Sequence, residues 1–137
     1  MNNTVIVLIV ILTAVCIAVL LLQYMFMTMM KRMLRAGAKA AIEAAWKKVS
    51  AHENPVLKVV EADKILDEAL RLLGYQGSLG EKLKAAGPRF SNLNALWSAH
   101  KLRNTLVHEL QATPKDKEVE NAIQAFHAAL TDLGAKL

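Results

Sequence analysis

The chain has 137 residues, with 17 Lys and Arg against 12 Asp and Glu, and every one of these charges lies at or beyond residue 31. That length leaves room for one small domain and one further element, and a single cysteine, Cys16, excludes an intrachain disulfide. Setting aside Lys31, Arg32, Arg35 and Lys39 leaves 13 basic against 12 acidic residues, so the net charge of +5 does not by itself ask for a nucleic-acid partner.

The first element is apolar. Residues 5–22 read VIVLIVILTAVCIAVLLL and run on through QYMFMTMM before the first cation. About 20 apolar residues suffice to cross the hydrocarbon core, so residues 1–30 are expected to form a transmembrane helix, with the lipid bilayer as partner of residues 5–30. A cleaved signal peptide fits less well, because the run has no basic n-region, is too long, and is followed by no A-x-A site. Four cations after the span, with no acid before Glu43, place the N-terminus outside a cell membrane and the remainder in the cytoplasm by the positive-inside rule. The same KRMLRAGAK stretch could serve as a lipid-binding segment, although a stop-transfer flank needs nothing more.

The rest reads as helix, since Ala, Leu, Lys and Glu dominate and no β-branched run alternates with polar residues. Residues 31–53 hold the basic flank and a first bundle helix with Ile42, Trp46 and Val49 in register, and this helix could continue the span unbroken across 5–52. Asn54 caps the next helix with Pro55 at its first position, and Gly74 closes it. Ser78 and Glu81 form a capping box for a short helix that Gly87-Pro88 breaks. Ser91 is expected to cap a helix over about 92–111, and Thr113-Pro114 to start the last one, which ends at Gly134. The fold class is all-α: an N-terminal transmembrane helix followed by a cytoplasmic four- or five-helix bundle, divided as 1–30, 31–53 and 54–137.

The helix containing HKLRNTLVHEL is the odd one. At about 100° per residue, Leu93, Leu96, Ala99, Leu102, Leu106, Val107 and Leu110 cover half its circumference, and Arg103 falls near the middle of that arc with His100 beside it. A guanidinium in an apolar face must pair with an acid or open onto a polar cleft. Asp63 and Asp67, at the edge of the stripe Val59, Ala62, Leu66, Ala69, Leu70 and Leu73, are the ion-pair candidates. Two carboxylates without a nearby histidine or cysteine make a poor metal site, so no metal and no cofactor is expected. His52 and His127 read as surface or capping residues.

The run Arg103-Asn104-Thr105-Leu106-Val107-His108 resembles the signature of the HEPN superfamily, small all-α bundles found in ribonuclease toxins, CRISPR effectors and nucleotidyltransferase partners. The resemblance covers about residues 36–135 as architecture and these six residues as motif. It implies binding of RNA or a nucleotide and, as in the nuclease members, metal-independent RNA cleavage: His108 would move the proton of the ribose 2′-hydroxyl, Arg103 would stabilise the phosphorane charge, and Asn104 would orient the histidine or the phosphate. It also implies a homodimer, because the family's site is usually built at a two-fold interface. Arg103 and His108 point about 140° apart on a straight helix, so a shared site needs a helix distortion or a second subunit. His100, Lys101 and Trp97 are the binding candidates, with Lys82, Lys84 and Arg89 adding charge and Trp97 able to stack a base. The alternative is a non-catalytic membrane-anchored interaction or scaffold module in which Arg103, Asp63, Asn104 and the histidines form a buried network that fixes helix register. A scaffold whose function lies in the span and its basic flank is a third reading.

Overall fold

The structure, a computed structural model, describes residues 2–30, 33–109 and 113–137. The chain is all-α, and it divides into two units after Arg32. Among its described residues the first unit holds one helix, α1 (Asn3–Met30). At 1.5 Å per residue its 28 residues extend about 42 Å, beyond the roughly 30 Å of a hydrocarbon core. Asn3–Met27 is long and apolar enough to cross a membrane, and each side chain of residues 2–27 is exposed in this unit. That pattern distinguishes it from the core helix of a soluble domain, which hides its apolar side chains in protein.

Among the described residues the second unit holds five α-helices, α2 (Ala36–Ala51), α3 (Pro55–Leu72), α4 (Leu79–Ala86), α5 (Leu93–His108) and α6 (Asp116–Asp132), with a 3₁₀ turn at Gly87–Arg89. α3 is central and packs against the other four. Its inward face carries Val59, Ala62, Leu66, Ala69 and Leu70, all completely buried, against Phe126 and Leu130 of α6 and Leu96 of α5. Ile65 also belongs to this core, although it stands outside the stripe read from sequence.

Local chemistry sets most helix ends. Asn54 Oδ1 accepts from the backbone N–H of Val56 and Leu57, at 2.9 and 3.2 Å, with Pro55 needing no partner at the first position. Ser78 and Glu81 form the full capping box. α3 and α6 end alike: the N–H of Tyr75 reaches Leu70 C=O and that of Ala135 reaches Leu130 C=O, across Gly74 and Gly134 at φ of 93° and 102°. These are Schellman turns, which require a left-handed residue after the cap.

Four expectations are corrected. A helix unbroken across residues 5–52 is not formed, because Met33, Leu34 and Arg35 are non-helical. Leu34 is buried in the bundle instead, its N–H directed at Leu133 C=O at 3.4 Å. Ser91 does not cap α5; Asn92 does, accepting from Ala95 N–H at 3.0 Å, while Ser91 donates its N–H and hydroxyl to Asp132. α6 starts at Asp116 rather than at Thr113-Pro114, and Glu118 accepts the Lys115 backbone N–H at 3.0 Å. Val107, placed on the apolar arc of α5, is 49% exposed. Lys31, Arg32, Leu110 and Gln111 lie outside the described residues.

Candidate functional site

α5 carries Trp97, His100, Arg103 and Asn104 at spacings of three and four residues, which bring them to one side of the helix. α3 presents Asp63 to the same side. Asp63 is not at the edge of the core, as its register predicted, but buried, with 5% of its side chain exposed. A carboxylate so enclosed needs partners for both oxygens.

It has them. Asp63 Oδ1 lies 2.7 Å from His100 Nδ1, and Asp63 Oδ2 lies 3.2 Å from Arg103 Nε. Arg103 Nη1 donates to Asn104 Oδ1 at 3.1 Å, and Asn104 Nδ2 lies 3.4 Å from His100 Nε2. One assignment of hydrogens satisfies the arrangement. His100 donates from Nδ1 to Asp63 and accepts at Nε2 from the Asn104 amide, whose oxygen accepts from Arg103. The four side chains thus close a ring. Its weakest link is at Arg103 Nε, which is buried without an aligned hydrogen-bond partner, so its contact with Asp63 is electrostatic rather than directed.

The ring forms one wall of an open groove of about 520 Å³, which Gly77, Ser78 and the first residues of α4, Leu79 and Gly80, also line. Asp67 also lines this groove, but it does not meet Arg103. Its Oδ1 is 2.9 Å from Lys82 Nζ, a lysine with only 5% of its side chain exposed, which also donates to Asp67 C=O at 3.4 Å. Glu68 accepts from Arg71 through both oxygens, and that hydrogen bonding holds its carboxyl below the usual range. Glu61 pairs with Lys64 at 2.8 Å.

The binding candidates Trp97, His100 and Lys101 line one open pocket of about 420 Å³ with Asn104, and His108 is not among its lining residues. His108 is exposed at the last turn of α5 and makes no side-chain hydrogen bond or ion pair with another described residue. Lys101 is exposed, while Lys82 and Arg103 are committed to Asp67 and Asp63. Trp97 is half-buried against the bundle, its ring 6.1 Å from that of His100 and its edge over Gly80. His127 is not a simple surface residue: it is half-buried, edge-on to Trp46 at 5.8 Å. Among the described residues no group of three or more His, Cys, Asp or Glu could hold a metal ion.

The residue that sequence reasoning undervalued is His100. Its signal was the spacing from Arg103 and Asn104, which fixes a shared side regardless of any motif. No family model, curated protein or solved structure matches this chain.

Proposed function

We propose that the chain is a membrane-anchored helical interaction module, with α1 as its anchor and the bundle on the cytoplasmic side, in which Arg103 serves the fold. The observation that carries this reading is the closed ring: the motif's Arg103 and Asn104 are engaged within one subunit by Asp63 and His100. The groove outside the ring supports it too. Asp63, Asp67 and Glu68 line it with only Lys64 and Arg103 as cations, a charge balance that does not favour a polyphosphate chain. The cytoplasmic orientation rests on Arg35 and Lys39 following α1 with no acid before Glu43.

A second reading has one observation in its favour. His108 is exposed and uncommitted to the described residues, so it is open to a second copy of the chain, as a HEPN-like ribonuclease built at a two-fold interface requires. The experiment that separates the two uses the full chain in detergent micelles with mixed RNA in EDTA, alongside His108→Ala and Arg103→Ala. The module reading predicts no cleavage above buffer in any of them. Cleavage by the parent that disappears in a folded His108→Ala protein overturns it.

A further inference from the structure

We propose that the end of the bundle formed by Met33, Arg35, Lys39, Lys136 and Leu137 is a docking surface for an anionic lipid bilayer. The two segments that build it are far apart in sequence and fastened together. Leu34 N–H points at Leu133 C=O at 3.4 Å, Lys136 N–H donates to Glu43 Oε1 at 2.7 Å, and Met33 lies directly over Gly134. Residues 33–35 therefore form a strap seated on the bundle.

The side chains this fastening leaves exposed are of two kinds. Met33, although its methyl rests on Gly134, is 55% exposed and Leu137 37% exposed, apolar groups that the bundle covers only in part. Around them stand Arg35 and Lys136, both exposed, and Lys39, half-exposed one turn after Arg35. Glu43, a carboxylate held against this end, is occupied by the Lys136 backbone. Cations beside exposed apolar side chains suit the boundary between anionic headgroups and acyl chains, where each kind finds its solvent. Charge complementarity selects anionic over neutral lipid, because attraction to such a surface grows with each cation within a Debye length of it. In sequence, Met33 comes three residues after α1 ends at Met30, so a membrane that holds α1 supplies such a surface at short chain distance.

The test is amide hydrogen exchange on the full chain in nanodiscs of phosphatidylcholine alone or mixed with phosphatidylglycerol. No side chain caps the N-terminus of α2, so the first-turn amides of residues 36–38 exchange fast unless something covers them. The expected result is slowing of these amides and those of residues 135–137 by about tenfold or more in the anionic discs, reversed by high salt. The triple variant Arg35→Glu/Lys39→Glu/Lys136→Glu should lose the slowing. Acids in the first turn of α2 favour the helix, so unfolding is not the cause of that loss. Lys58→Glu/Lys84→Glu/Lys117→Glu, an equal charge change elsewhere on the bundle, should keep it. Equal exchange in both disc types overturns the proposal, as does loss of the slowing in both triple variants, which would mean net charge rather than this surface.

Discussion

Asp63 and His100 stand 37 residues apart in sequence, and their side chains meet at 2.7 Å across the α3–α5 contact. This one contact decides how the odd composition of α5 is understood. A histidine that donates to a buried carboxylate also settles which way its second nitrogen faces, and through Asn104 it holds Arg103 over the other carboxylate oxygen.

Removing the carboxylate should cost more than removing any other member of the ring. In Asp63→Ala, His100 loses its acceptor and the Arg103 guanidinium its counter-charge. Complete burial would give roughly 3–5 kcal/mol, and with Arg103 26% exposed the expected loss is about 2–4 kcal/mol in urea unfolding.

The two histidines of the motif region should behave oppositely. His108→Ala removes an exposed side chain and should change stability by no more than about 0.5 kcal/mol. His100→Ala leaves Asp63 Oδ1 buried and unsatisfied, at a cost of about 1–3 kcal/mol. Parallel melts of the two variants compare them directly.

The capping box at α4 should leave a signature in pH. Glu81 accepts from the Ser78 backbone N–H and then from its hydroxyl, both at 2.7 Å, and these bonds hold its carboxyl below the usual range. A lowered folded value means that this stabilisation is fully present above the unfolded carboxyl value, about 4.3, and is lost as pH falls through the folded value. The Tm gap between parent and Glu81→Gln should therefore be widest near neutral pH and close in acid. Ser78→Ala, which removes the cap itself, should cost about 1 kcal/mol at neutral pH.

Gly134 should resist substitution because of its backbone. Its φ is 102°, whereas the Met33 Cε that an added Cβ would meet at 2.6 Å is the end of a flexible, exposed side chain that can swing aside. Gly134→Ala should lose about 1–2 kcal/mol from the backbone. Met33→Ala in the same chain should recover little of it, leaving the backbone cost visible in the melt.

The elements that can be read from sequence are those whose cause is local. Asn54-Pro55, Ser78 with Glu81, and the glycines after α3 and α6 act within a turn of where they stand, so residue type and spacing suffice. Ser91 and Asn92 illustrate the limit. Both are good caps, and what separates them is Asp132, 41 positions on from Ser91, which claims the serine. Leu34 is similar: nothing nearby predicts a helix break there, and its reason is Leu133. At the site, an arginine on an apolar arc demanded an acid, which the α3 pattern narrowed to Asp63 and Asp67. Choosing between them needed Lys82, a lysine whose burial no periodicity announces. The motif drew attention to His108, whereas the fold joins His100 to Arg103 through Asp63 and Asn104.

The most direct measurement is the coupling energy between Asp63 and Arg103, taken from urea unfolding of the full chain in micelles as parent, Asp63→Leu, Arg103→Met and the double variant. If Arg103 is there for the fold, the two single changes are each destabilising and the pair is coupled by about 1–3 kcal/mol. Additive effects, with Arg103→Met as stable as the parent, would contradict the account and return Arg103 to the role of a group kept for a ligand.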